Sequence, residues 1–312
     1  MAPSLEVAPA AHWSTRWRAA SWFGWALALA SSVAGSIVTP LTRGMVVGGV
    51  DPIFLLLMRL LIAVALIGVT MAITQPGQFK IDRQGLWRII GVGLVAGLEI
   101  CCFFQALAYV DSSMSAMIKS TQPLVVLLLL TFGGERLQPR HLARLALATA
   151  GIYLLVGPGG TVAPIGLLLL TGSLLLYGAQ LVFIQWWLGG YNMHTVNLYL
   201  NGVMTVVIAL WWWLQGAVWT EPGTQGWLII LVLAVVSTWF ARLAVYGAIA
   251  RIGSGQLALL WPLQTLLIII LSVIFLNERM TLVQWAGSAL VLGSAVLAIE
   301  RIGYKKVALQ PK

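Results

Sequence analysis

The sequence predicts an all-α integral membrane protein in which ten transmembrane helices form two inverted five-helix repeats. Composition gives the first reason: 60% of the 312 residues are hydrophobic and only 9% are charged, whereas about 25% of residues are charged in a typical soluble domain. The second reason is a series of ten apolar runs. The third is that the chain repeats itself at an offset of about 142 residues.

Each apolar run approaches the roughly 20 residues that an α-helix needs to cross a bilayer. The runs cover residues 21–41, 53–74, 86–109, 112–132, 141–157, 164–188, 194–215, 226–249, 254–276 and 282–300. Turn-forming sequences such as TQPGQFKIDRQG and TEPGTQG separate them. Residues 1–20 and 301–312 are polar tails. The first run is longer than the apolar part of a signal peptide and lacks a clear cleavage motif, so we expect it to remain as a span.

The net charge of +9 reflects membrane topology, because the basic residues are spread over short gaps and form no single patch. Most lie in gaps on the side of the N-terminus, whereas Arg43 and Arg279 lie on the other side. The positive-inside rule then predicts a multi-pass plasma membrane protein (the inner membrane in a bacterium) with both termini in the cytoplasm. We expect a monomer whose partners are lipid and a small-molecule substrate, with no nucleic acid.

The repeat relates a first half, residues 21–157, to a second half, residues 158–300. The sequence ALAYVDSS, which begins at Ala106, aligns with AIARIGSG, which begins at Ala248, and GGERL aligns with LNERM after one residue of slippage. Each half contains five runs, and an odd number makes the second copy enter the membrane from the opposite face. Chance similarity between leucine-rich helices is the alternative interpretation.

These features resemble the drug/metabolite transporter superfamily. The motifs are FGGER with ALATAGIYLLVG in the first half and FLNER with WAGSALVLGSAVL in the second. Within the superfamily the chain is most similar to EamA-type exporters, and among those to the YddG-like amino acid exporters. The resemblance implies a central cavity lined by spans 1, 3, 4, 6, 8 and 9. It also implies the export of small metabolites, often amino acids.

Charged side chains inside the spans indicate function, because they are costly in lipid. Glu99 is the only acidic residue deep within a run, and the basic residues away from the run ends are Arg59, Lys119 and Arg242. Counted from the nearest turn at 1.5 Å per residue, Glu99 lies about 17 Å, Lys119 about 13 Å and Arg242 about 16 Å deep. Glu99 could pair with Arg242 or Lys119, or bind a substrate ammonium while a basic residue binds its carboxylate. Lys119 could also extend towards the membrane surface.

Helical spacing adds side chains that share a face with these charges or line the remaining cavity spans. Two tryptophans in this set favour substrates with apolar or aromatic side chains, which stack on such rings. The polar members could instead join helices to one another. The predicted substrate-binding residues are Glu99, Phe103, Lys119, Gln122, Tyr177, Gln180, Trp239, Arg242, Tyr246, Trp261 and Gln264.

Pro123 and Pro262 lie inside the fourth and ninth runs. Each removes a backbone hydrogen bond and tends to bend its helix. The bends are candidate hinges for opening and closing a cavity, or fixed features of its shape.

Together these observations predict a uniporter that exports neutral or aromatic amino acids by alternating access. One alternative is a proton-coupled exporter of drugs or other small metabolites, with Glu99 as the proton carrier. An intramembrane enzyme or a channel is a further alternative from a different class. The sequence contains no HExxH motif, no P-loop and no cluster of His and Cys beyond the adjacent Cys101 and Cys102. We therefore predict no cofactor, no metal and no catalytic residue.

Overall fold

The computed structural model describes residues 21–131, 139–156, 163–188, 191–252 and 260–299, and helices make up most of these segments. A 3₁₀ turn (Pro76–Phe79) follows the third helix, and a π-helical segment (Leu233–Phe240) joins the tenth to the eleventh. The helices are α1 (Ser21–Ser36), α2 (Val38–Val47), α3 (Pro52–Thr74), α4 (Arg83–Ala106), α5 (Ser112–Lys119), α6 (Gln122–Thr131), α7 (Pro139–Val156), α8 (Pro164–Trp187), α9 (Met193–Leu214), α10 (Gly223–Val232), α11 (Ala241–Ile252), α12 (Trp261–Leu276) and α13 (Leu282–Ile299).

Within the described residues, six helical stretches are long and apolar enough to cross a membrane. They correspond to the first, second, third, sixth, seventh and eighth predicted spans: Trp22–Val47, Pro52–Thr74, Arg83–Ala106, Pro164–Ile184, His194–Leu214 and Gly223–Val245. The fourth predicted span is divided into α5 and α6, which have only 8 and 10 residues. The remaining helices, α7, α12 and α13, have 18, 16 and 18 residues. The all-helical membrane character is thus confirmed, whereas the full set of ten spans stays a prediction.

Two of the apolar runs are interrupted just before a proline. α1 and α2 separate at Ile37, three residues before Pro40, and the break between α5 and α6, at Ser120 and Thr121, ends two residues before Pro123. A proline cannot donate to the carbonyl four residues earlier, and its ring crowds that carbonyl. Pro262 holds the same place in α12 as Pro123 does in α6: each is the second residue of its helix, where a missing N–H costs little. Residues 253–259, just ahead of α12, lie outside the described part, and both hinge roles stay predictions.

Helices of the two halves pack in a symmetric pattern. α4 packs against α8 and α9; the counterpart contacts join α11 with α1 and the π-helical segment with α3. α5 contacts α12, α7 contacts α13 and α3 contacts α9, and each of these pairs joins counterparts across the repeat. If each helix is replaced by its counterpart in the other half, the same set of helix contacts results. The packing therefore fits two related halves.

Two glycines bring α7 and α13 into backbone contact. A Cβ added at Gly287 would lie 2.7 Å from the carbonyl oxygen of Gly151, and a Cβ at Gly151 would lie 2.8 Å from that of Gly287. No side chain fits in this space. Small residues at such crossings let membrane helices approach closely, so that packing between them is favourable.

Large apolar side chains cover much of the outer surface. Ile73 is 77% exposed, Phe275 72% and Leu168 69%. Such an exposed apolar surface marks contact with a membrane or another protein. Together with the long apolar helices, it indicates that the surface of this bundle faces lipid.

Candidate functional site

The centre of the candidate site is an ion pair between Glu99 and Lys119. The Lys119 Nζ donates to Glu99 Oε1 at 2.8 Å, and the Ser173 hydroxyl donates to the same oxygen at 2.9 Å. Glu99 is 4% exposed, whereas the Lys119 side chain is 20% exposed. α4, α5 and α8 therefore bury one carboxylate together with a cation and a hydroxyl, and Lys119 is the more accessible member.

Lys119 lies at the C-terminal end of a helix. Lys119 is the last residue of α5, immediately before the break that precedes Pro123. The end of a helix leaves carbonyl groups without N–H partners, and their partial negative charge stabilises a nearby cation. The break thus supplies a favourable place for an ammonium group within an apolar run.

Two aromatic rings enclose the ammonium group of Lys119. Its Nζ lies 3.8 Å from the centre of the Phe103 ring and 5.5 Å from that of Tyr177, within the cation–π range of about 6 Å. Phe103 follows Glu99 by four residues on α4, and Tyr177 follows Ser173 by four residues on α8, so each helix presents a polar group and a ring on one face. The site combines an ion pair with an aromatic wall.

Trp239 and Arg242 lie apart from this ion pair. They line a small open recess with residues of α3, its C-terminal cap and α9, among them Thr70, Gln75 and Asn197. The Trp239 Nε1 donates to the Thr70 Oγ1 at 2.8 Å. The ring of Trp239 therefore packs towards α3 rather than towards the Glu99–Lys119 pair.

Of the two pairings considered for Glu99, with Arg242 or with Lys119, the structure shows the one with Lys119. Lys119 belongs to the helix that directly follows α4 in the chain, at nearly the same depth as Glu99. Arg242 follows the π-helical segment, in which hydrogen bonds span five residues, so faces assigned with the α-helical period are rotated beyond it. Arg242 still lies close enough to Tyr177 for their charges to interact, which places it at the border of the site.

The remaining predicted residues are less closely tied to the ion pair. Gln122 begins α6 and Gln180 lies on α8, and both are half-buried. The Gln264 Nε2 lies 2.7 Å from where a Cβ at Gly35 would be, so this amide packs α12 against α1. The contacts of four side chains lie outside the described residues: Pro123, Tyr246, Trp261 and Pro262.

Arg59 is a buried cation that the predicted set of site residues omits. It is 8% exposed, its Nε donates to the Thr238 Oγ1 at 3.0 Å, and its Cζ lies 5.9 Å from the centre of the Phe104 ring. The signal that indicates Arg59 is the same one that indicates Glu99: a charge inside an apolar run. The sequence indicates Ser173 as a site residue less clearly, because serines in membrane helices commonly bond to the backbone of their own helix.

Charged side chains also connect the halves at the end of the bundle where α5 begins. Glu278 accepts hydrogen bonds from the backbone N–H groups of Ser112 and Ser113, at 2.9 and 3.1 Å, and from both of their hydroxyls. Nearby, Arg43 forms an ion pair of 3.3 Å with Asp111. Partial burial and the charge of Glu278 raise the pKa of Asp111, and Arg43 opposes that rise.

At the opposite end, Asp82 precedes the first turn of α4. Its carboxylate accepts a hydrogen bond of 3.3 Å from the backbone N–H of Gly85 and another from the hydroxyl of Tyr191. The bond from Tyr191 is the main reason that the pKa of Asp82 lies below its usual value, and it raises the pKa of Tyr191 in turn. This contact links the start of α4 to the segment before α9.

Within the described residues, no group of three or more His, Cys, Asp or Glu side chains could hold a metal ion. Cys101 and Cys102 are free thiols on α4.

Comparison with known protein families gives a match in each half of the chain. The model of the EamA-like transporter family matches residues 22–157 and again residues 164–299. A solved structure, described only as the crystal structure of a protein, has a TM-score of 0.59 and 20% sequence identity, covering 89% of this chain and 96% of that chain. At that identity the likeness concerns the fold alone. No curated protein matches the chain significantly. Because the family model matches most of the sequence, in two copies, this protein belongs to the EamA-like transporter family of the drug/metabolite transporter superfamily, whose members transport small molecules.

Proposed function

We propose that this protein exports small metabolites, neutral and aromatic amino acids above all, by alternating access and without a coupled ion. It would thereby act as the YddG-like exporters do. The observation that carries this proposal is the Glu99–Lys119 pair beside the rings of Phe103 and Tyr177. These rings offer apolar surface at membrane depth, where burying a substrate side chain contributes about 25 cal/mol per Å².

The proposed architecture has ten spans, with the second five inverted relative to the first. The family model matches twice, and the helix contacts are symmetric between the halves, which supports it. The distribution of lysine and arginine supports both termini in the cytoplasm. We place the protein in the plasma membrane, the inner membrane of a bacterium, as a monomer that forms its site within one chain.

Transport without a coupled proton is supported by the state of Glu99. A proton carrier has to gain and lose a proton during each cycle, and Glu99 is the only acidic residue deep within an apolar run. Its carboxylate oxygen already accepts from Lys119 and Ser173. Because this carboxylate is engaged by two donors of the protein, we propose the substrate gradient as the driving force.

Alternating access is supported by the contacts where α5 begins. Glu278, of the second half, caps the first turn of α5, which belongs to the first half and ends at Lys119. Opening the bundle at that end would break the cap and move the helix that carries Lys119. The break before Pro123 provides a place for this movement, with α6 remaining packed on α8.

Uptake into proteoliposomes tests the proposal. Purified protein is reconstituted, and labelled phenylalanine, leucine, a sugar and a phosphate ester are supplied separately, with and without a pH gradient. We expect saturable uptake of the two amino acids, at a rate that the pH gradient does not change. No uptake of either amino acid would contradict the substrate class. Uptake that depends on the pH gradient would instead favour proton-coupled export.

A further inference from the structure

Arg59 is buried at membrane depth with part of its hydrogen-bonding capacity unused. The residue is 8% exposed. Its Nε donates to Thr238, but among the described residues its Nη1 has no hydrogen-bond partner. An arginine that served only to join two helices would be expected to use all its buried donors, because an unpaired buried donor is costly. No group within the described residues fills this place, and the geometry points to a ligand.

The contact with Thr238 holds the guanidinium in one orientation. Thr238 lies in the π-helical segment, and its hydroxyl accepts from the Arg59 Nε at 3.0 Å while donating to the carbonyl of Leu233 at 3.2 Å. The hydroxyl is thus fixed by two bonds. Short π-helical segments often occur at functional sites. This one gives Arg59 a fixed support, while its Nη1, itself buried, has no hydrogen-bond partner among the described residues.

Arg59 is continuous with the site around Lys119. The rings of Phe103 and Phe104 are 6.1 Å apart. The ammonium of Lys119 lies over the first ring and the guanidinium of Arg59 lies near the second. The two cations are therefore on either side of one aromatic pair, on α4.

The charges in this region do not balance. Arg242 lies close enough to both Arg59 and Tyr177 for their charges to interact. Two cations, Arg59 and Lys119, thus lie in the interior with Glu99, the only acidic residue deep within an apolar run, and Glu99 is already paired with Lys119. The unpaired buried charge is that of Arg59, and the exposed Arg242 adds positive charge nearby, so an anionic group from a ligand would be stabilised there.

We propose that Arg59, assisted by Arg242, binds the carboxylate of the transported substrate, and that the substrate's ammonium group is dispensable. Guanidinium groups match carboxylates because two parallel N–H groups can donate to the two oxygens. The substrate class accordingly extends from amino acids to aromatic carboxylates that lack an amine. This inference rests on the proposed transport function and names the part of the substrate that is recognised.

Equilibrium binding of three matched ligands to the purified full chain tests the proposal. L-phenylalanine carries both charged groups, 3-phenylpropionate lacks the amine, and L-phenylalaninamide lacks the carboxylate. Titration calorimetry at pH 7 should show that the wild-type protein binds the two carboxylates with similar affinity. It should bind the amide about 10- to 100-fold more weakly, as expected for losing a charge-assisted hydrogen bond.

Two variants separate recognition from packing. Arg59→Gln should weaken binding of both carboxylates by about 10- to 100-fold and leave binding of the amide unchanged. Thr238→Val removes the acceptor of the Arg59 Nε but keeps the charge of Arg59. It should therefore weaken binding of the two carboxylates by less than Arg59→Gln does. If Arg59 only joins α3 to the π-helical segment, the two variants will affect all three ligands alike, and the proposal is overturned.

The wild-type titrations decide the matter even if Arg59→Gln fails to fold. Equal affinity of the wild-type protein for phenylalanine and its amide would overturn the role of Arg59 and leave amino acid export standing. Binding of 3-phenylpropionate without binding of phenylalanine would refute amino acid export and support the role of Arg59.

Discussion

Replacing Lys119 with methionine should destabilise the protein far more than neutralising both members of its ion pair. In Lys119→Met, Glu99 stays 4% exposed and keeps only the Ser173 hydroxyl as a donor. Breaking a buried ion pair by removing one partner costs about 3–5 kcal/mol. The Lys119 side chain is 20% exposed, so we expect the lower value, about 3 kcal/mol.

The double variant Glu99→Gln/Lys119→Met should recover most of that loss. The glutamine amide keeps an oxygen that can accept from Ser173 but leaves no unpaired charge, and replacing both charges of a buried pair is often nearly neutral. The expected coupling between the two substitutions is about 2 kcal/mol. Unfolding of the purified variants in detergent measures it, with Lys80→Met, at an exposed position outside the helices, as control. If the double variant is as unstable as Lys119→Met, the pair does not neutralise Glu99 and the reasoning fails.

Further predictions concern the contacts around the site. Gly287→Val should prevent α7 and α13 from packing at Gly151 and should lower yield and thermal stability, whereas an unchanged melting temperature would contradict the backbone contact. Glu278→Gln should weaken the cap on α5 and raise the rate at which a thiol reagent labels cysteines placed at that end; an unchanged labelling rate would argue against a closing role. Tyr191→Phe should remove the hydrogen bond that lowers the pKa of Asp82 from its usual 3.8. The stability difference from wild type should be present at pH 7, above that value, and should disappear as the pH falls through the lowered pKa. Unfolding curves measured between pH 7 and pH 3 would show it, and a difference that is independent of pH would contradict the linkage.

The sequence was most informative about features that follow from chain order. Apolar runs determine where helices can cross a membrane, because backbone groups in lipid must bond within the segment. The contact between Glu99 and Lys119 follows from depth along two successive antiparallel helices, and the structure shows it at 2.8 Å. The break before Pro123 follows from the missing N–H of proline.

The rotation of helices about their own axes was harder to predict. The faces of α11 depend on the π-helical segment before it, and nothing in the residues Leu233–Phe240 signals that segment. The α-helical period therefore places Trp239 and Arg242 on the predicted cavity face, whereas in the structure they lie towards α3 and α9.

The role of individual serines could not be read from the sequence. Ser31 bonds to the carbonyl of Ala28 on its own helix, at 2.7 Å, whereas Ser173 bonds to Glu99 across helices. Both lie in similar apolar surroundings, and only tertiary packing decides between the two bonds. The resemblance to a transporter family likewise indicates the fold but leaves the substrate to the side chains at the site.

Counterflow in proteoliposomes tests the central claim most directly. Vesicles loaded with unlabelled phenylalanine are diluted into a trace of labelled phenylalanine, with no ion gradient, for wild-type protein, Tyr177→Ala and Tyr153→Ala. Tyr153 is 64% exposed on α7 and serves as the matched control. We predict transient accumulation of label with wild type and with Tyr153→Ala, and accumulation reduced by about tenfold with Tyr177→Ala, as loss of a buried aromatic contact implies. No accumulation with wild type, or equal accumulation in all three, would contradict export through the site beside Glu99 and Lys119.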